Sequence, residues 1–70
     1  MVDMKVDLER KCKVTHRWFP VARFELGLDA MDTAEALSKA DGYLYRVVDH
    51  RWPDEPQPAV TLFKAGECVD

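Results

Sequence analysis

Along the first third of the chain, apolar and polar residues alternate. Val2, Met4, Val6, Leu8, Cys12, Val14, His16 and Trp18 stand at even positions, interrupted only by Arg10. Asp3, Lys5, Asp7, Glu9, Lys11, Lys13 and Arg17 stand at odd ones. A period of two sends each set to its own face of a strand. The pattern predicts a strand that is strongest from Lys11 to Arg17. Residues 1–9 read either as an extension of it or as an N-terminal arm, because termini fray unless docked. Trp18-Phe19-Pro20 breaks the alternation, and a proline, having no N–H for a sheet ladder, predicts a turn there. Val21 to Leu26 alternates again, with Ala22, Phe24 and Leu26 on one face. Residues 11–26 are therefore expected to form a β-hairpin, without the Asn-Gly signal that marks the tightest ones.

Gly27 ends that run, and the period changes. Met31, Ala34 and Leu37, with Ala30 or Ala40, make a narrow apolar stripe at helical spacing, while Asp32, Glu35, Ser38 and Lys39 face water. A helix is predicted from about Ala30 to Ala40. Asp29 is its expected N-cap, or Asp32 with Glu35 completing a capping box. Gly42 is its left-handed stop. Tyr43 to Asp49 is the most β-prone segment of the chain, rich in aromatic and branched residues. Arg51 to Pro58 holds three of the four prolines and predicts a loop. Ala59 to Lys64 predicts a last strand, and residues 66–70 a tail. The order β-β-α-β-β implies an α+β domain, one helix packed on a four-stranded, mainly antiparallel sheet.

Length changes this picture only by limiting it. Seventy residues make one domain, 1–70. So short a chain buries about 60% of its unfolded surface, and its core supplies roughly 3–5 kcal/mol. A hydrophobic fraction of 47% sets it apart from disordered chains. No apolar run approaches the roughly 20 residues of a membrane span. The N-terminus has acidic residues and no apolar core of a secretory signal, so the cytoplasm is the expected compartment. The formal charge of −3 is uneven: residues 1–26 carry six Lys/Arg against four Asp/Glu, and residues 27–70 carry four against nine. Such a balance argues against a general nucleic-acid binder, for which a basic domain is expected. Cys12 and Cys68 have no CxxC or Cys/His spacing and are read as two free thiols, Cys12 as a small core residue and Cys68 as part of the tail.

The chain contains one internal repeat. Val14-Thr15-His16-Arg17-Trp18-Phe19-Pro20 parallels Val48-Asp49-His50-Arg51-Trp52-Pro53. Arg and Trp are the residues most enriched at binding hot spots, which makes Arg17, Trp18, Arg51 and Trp52 candidates for a partner contact. The competing reading is structural: each copy ends the first strand of a hairpin, where a Trp packs over the turn. In this topology the two copies fall at opposite ends of the sheet unless a dimer joins them. Leu44 and Val48 join the partner-binding candidates for another reason. The third strand is apolar on both faces, with Tyr43, Tyr45 and Val47 against Leu44 and Val48. The fourth does the same, with Val60 and Leu62 against Thr61 and Phe63. One helix covers one face, and the surplus invites a protein partner or a second copy.

Lys11, Lys13, Arg17, Arg23 and Arg46 form the alternative, a basic stripe on the uncovered face that would meet phosphates. A solvated outer face, whose lysines also protect exposed strands from edge pairing, is the favoured reading of these residues. Catalysis would need a nucleophile or carboxylate held beside His16 or His50. Asp49 adjoins His50, but neighbours on a strand point to opposite faces. No enzymatic activity, metal or cofactor is therefore expected. The run Trp18 to Phe24, the Ala-rich helix and Gly42 to Asp49 resemble, over residues 11–64, small bacteriophage and bacterial proteins in which two β-hairpins flank a helix. The resemblance implies no catalytic residues. It implies only that such proteins often act by binding a host or phage macromolecule, and the expected function is that of a small non-enzymatic interaction protein, phage-encoded in one reading, that binds and modulates another protein. The N-terminal alternating segment departs from that pattern.

Overall fold

The structure, a computed structural model, describes residues 4–51 and 56–69. Five strands and one helix follow in the order β1 (Val6–Lys11), β2 (Trp18–Phe24), α1 (Gly27–Asp41), β3 (Leu44–Asp49), β4 (Ala59–Lys64) and β5 (Glu67–Val69). The strands form one sheet in the order β2-β1-β3-β4-β5, and every neighbouring pair is antiparallel. The α+β class and the β-β-α-β-β order hold. The sheet has five strands rather than four, because residues read as a tail form β5 against β4.

The first hairpin lies earlier than the alternation implied. Its strands are Val6–Lys11 and Trp18–Phe24, and the turn occupies residues 12–17. There the Cys12 N–H donates to the Arg17 carbonyl (2.8 Å) and the His16 N–H to the Cys12 carbonyl (2.9 Å). His16 takes a left-handed φ of 59°. Alternation reports a period and not a pairing, so it runs on through a turn whose Val14 is 86% exposed. Pro20 sits inside β2 instead of breaking it. β2 is an edge strand, where a sheet tolerates proline, and Pro20 lies beside a bulge in it. A register shift between Leu8 and Glu9 leaves Val21 as the extra residue between Ala22 and Pro20, a β-bulge. Residues 6–9 of the segment read as a possible arm thus belong to β1, paired on both sides within the sheet.

The helix also starts early. It begins at Gly27 after Leu26, without a side-chain cap, and neither Asp29 nor Asp32 serves as one. Gly42 is the stop residue, with φ 73°, and its N–H donates to the Ser38 carbonyl (2.9 Å). The helix lies on the sheet through Gly27, Ala30, Ala34 and Ser38, all buried. These small residues bring its backbone close to Val6, Leu8, Tyr45, Val47 and Phe63, which with Ala30 and Ala34 make up the core. Phe24, Met31, Leu37 and Tyr43 pack at its border. Ser38, expected to face water, is fully buried. Its hydroxyl donates to the Glu35 carbonyl (3.1 Å) and accepts the Gly66 N–H (2.9 Å), which ties the helix to the β4–β5 turn. Gly66 itself needs to be glycine: its φ is 82°, and a Cβ there would lie 3.0 Å from Lys39 Cβ.

Candidate functional site

With the helix on one face, the side chains of opposite parity form the other, open face. Its rows follow from the register. Asp7, Val48 and Val60 make one row, and Glu9, Arg46 and Leu62 the next. At the turn end, Trp18 pairs with Lys11, and Leu44 with Lys64. Lys11 and Leu44 are the next positions beyond the Arg10–Tyr45 pair. Glu67 stands opposite Lys64 on β5. The face divides along the sheet: β1 and β2 contribute mostly charge, whereas β3 and β4 contribute Leu44, Val48, Val60 and Leu62. Val48 is buried, Leu44 and Leu62 are half-buried, and Val60 is 46% exposed.

The charged half is a network and not a basic stripe. Arg23 Nε lies 3.0 Å from Asp7 Oδ1, and His50 Nε2 lies 3.3 Å from Asp7 Oδ2. Arg46 Nε donates to Glu9 Oε1 at 2.6 Å, and its guanidinium stacks 4.3 Å from the centre of the Trp18 ring. A flat cation laid on an indole face gains from the ring quadrupole as well as from the carboxylate. Of the five proposed phosphate contacts, Arg23 and Arg46 are therefore engaged by carboxylates on β1. Lys13 belongs elsewhere: its ammonium stands 4.5 Å from the Tyr43 ring centre, where Arg10 also stacks at 4.8 Å. Arg17 is exposed in the turn, and Lys11 alone of the remaining three lies in a strand of the open face.

The two copies of the repeat are separated, as their topology required. His16-Arg17-Trp18 lies at the β1–β2 turn and leads into β2, so this copy starts a second strand rather than ending a first. His50-Arg51 follows β3 at the other end, where the His50 N–H donates to the Lys5 carbonyl (2.8 Å). Trp52 lies outside the described residues. Arg51 forms a two-point contact with Asp49, Nε to Oδ1 at 2.9 Å and Nη2 to Oδ2 at 2.7 Å. This pairing holds the Asp49 carboxyl below its ordinary range and raises Arg51 further. A Cβ on Gly27 would lie 3.0 Å from Arg51 Nη2, so the bare helix start makes room for the pair.

The other shifted groups lie on or beside the helix side. Burial raises Tyr45, and its hydroxyl donates to Asp41 Oδ2, which raises it further. Burial works to raise Asp41, but the Tyr45 hydroxyl, the Tyr43 N–H (2.9 Å) and the charges of Arg10 and Lys13 hold it below its ordinary value. Thr15, with the backbone of the turn, lowers the Cys12 thiol. Cys12 is half-buried at the end of β1 rather than a core residue, and Cys68 lies in β5. Among the described residues there is no pocket and no group of three His, Cys, Asp or Glu placed to hold a metal. No helix among them is long and apolar enough to cross a membrane.

Sequence reasoning missed Asp7 and Glu9 as the partners of the arginines, and Lys64 as a member of the turn-end row. Their parity was legible; the strand order that brings them together was not. Comparison of the chain with protein-family models, with curated proteins and with solved structures gives no match.

Proposed function

We propose that this chain is a small non-enzymatic interaction protein, and that the open face of the sheet is its contact surface for another protein. One observation carries the reading: the sheet face opposite the helix holds Leu44, Val48, Val60 and Leu62 in adjacent rows, of which Val48 is buried, Leu44 and Leu62 are half-buried and Val60 is exposed. An apolar strip bordered by ordered polar groups has the anatomy of a protein interface, an apolar core and a polar rim. Trp18 and Arg46, stacked on each other beside Glu9, are residue types that carry binding energy at such surfaces. Arg17 lies beside this rim and extends it. Arg51, paired with Asp49 at the helix start, contributes to the fold first and to a contact second.

A photo-crosslinking amino acid placed at Val60 tests this in cells that make the protein, against the same group at Lys39 on the exposed side of the helix. The expected result is one discrete adduct from position 60 and none from position 39. An adduct of twice the chain mass would identify a second copy as the partner. Equal labelling from both positions, or none from position 60, would end the reading.

A further inference from the structure

We propose that the partner of the open face is acidic, a protein segment whose apolar side chains alternate with carboxylates. This rests on the open face being the contact surface, and it adds the chemistry of what binds there. The argument begins with where the charges are satisfied. Both carboxylates that β1 turns to this face are occupied, Asp7 by Arg23 and His50 and Glu9 by Arg46. At the turn end the balance reverses. From Arg10 to Phe24 the sequence carries five Lys/Arg and no carboxylate. Lys11, Lys64 and Arg17 have no carboxylate partner among the described residues. Glu67 stands opposite Lys64 in register, and no ion pair joins them. Leu44 therefore sits between two lysines that form no ion pair among the described residues, one on each neighbouring strand, with Leu62 and Val60 continuing the accessible apolar strip away from them beside the buried Val48.

A surface of this kind selects by charge at its edge and gains its binding from the apolar strip. The strip is also what favours a protein over a nucleic acid. Phosphates would use the lysines but leave Val60 and Leu62 without a complement, and the remainder of this acidic chain would repel a long polyanion. The turn that carries Arg17 is held by its own backbone hydrogen bonds (2.8 and 2.9 Å), so the cationic edge is preorganised.

The test uses three synthetic peptides in which leucine alternates with glutamate, with serine or with lysine. Each is titrated into the isotopically labelled full chain. The leucine–glutamate peptide is expected to move the amide resonances of Lys11, Leu44, Leu62 and Lys64 together. It should bind about tenfold tighter than the serine peptide, with the difference closing in high salt. Lys64→Glu should abolish that preference. Arg17→Glu, in the exposed turn, is the second variant should the first disturb the sheet. If the serine or lysine peptide binds these residues equally well, the acidic partner is wrong and the open-face reading stands. If no peptide moves them, both fail. If duplex DNA or phosphatidylserine vesicles move the same resonances at lower concentration than the peptide, the surface serves a polyanion or a membrane and the proposal is overturned.

Discussion

Ser38 shows how much a single residue does in a domain of this size. Its spacing from Ala34 and Ala30 places it on the buried stripe, yet its hydroxyl led sequence reasoning to assign it to water. The two facts are reconciled by Gly66, whose half-buried N–H at the β4–β5 turn takes the Ser38 hydroxyl as its acceptor. A buried donor left unpaired costs about 1–3 kcal/mol, a large share of what so small a core supplies. Ser38→Ala keeps the helix and fits the space, because its neighbours on the stripe are alanines. It should nevertheless lose about 1–2 kcal/mol in urea titrations and speed hydrogen exchange at the Gly66 amide. A loss within experimental error, with Gly66 still protected, would show that the turn does not depend on this bond. The same logic explains the open face. The pairs Arg23–Asp7 and Arg46–Glu9 lie far apart in sequence, and only the strand order made them partners.

At the level of elements, periodicity located faces well and ends poorly. Val6 and Leu8 share parity and are both fully buried; Leu44 and Val48 were assigned to the face opposite Tyr45 and Val47, and that division holds. Ala59–Lys64 was legible because prolines before it and Gly66 after it leave little choice. The first hairpin was not, since alternation continues through a turn stabilised by backbone bonds, and Pro20 marks an edge rather than an end. The helix start was hidden for a related reason: Leu26 precedes it without any capping side chain. The candidate surface was legible as surplus apolar residues, while its charge network depended on β1 lying between β2 and β3. That placement has a measurable consequence. Were residues 1–9 a loose arm, Leu8→Ala would change stability by less than about 0.5 kcal/mol. Leu8 is fully buried on a strand paired on both sides, so the substitution should cost about 2–5 kcal/mol. Urea titration followed by circular dichroism at 25 °C should show the midpoint fall accordingly, or no folded baseline at all.

The whole molecule is tied at both ends of its helix by carboxylates held below their ordinary range, Asp41 at the C-terminal end and Asp49, through Arg51, beside Gly27. This gives the fold a direction in pH. A carboxylate whose folded value is depressed contributes stability that is complete above its unfolded value and is lost as pH falls through the folded one. Tyr45 works with the opposite sign. Burial and Asp41 raise it, so its contribution is complete below the ordinary tyrosine range and is lost as pH climbs through the higher folded value. Stability should therefore be level from roughly pH 5 to 9 as far as these groups set it, and fall on both sides. Asp49→Asn separates the ends. It removes a charged acceptor from Arg51, which is exposed and screened by solvent, so the variant should be only slightly less stable at pH 7. Because the wild-type chain loses the same contribution on protonation, the two unfolding curves should converge as pH falls through the depressed folded value of Asp49, while above the ordinary carboxylate range the variant stays lower by a constant amount and its alkaline limb keeps the wild-type shape. Thermal melts across pH 2 to 11 read this directly. A variant that remains equally destabilised at pH 2.5 would show that Asp49 acts through packing at the helix start rather than through its charge.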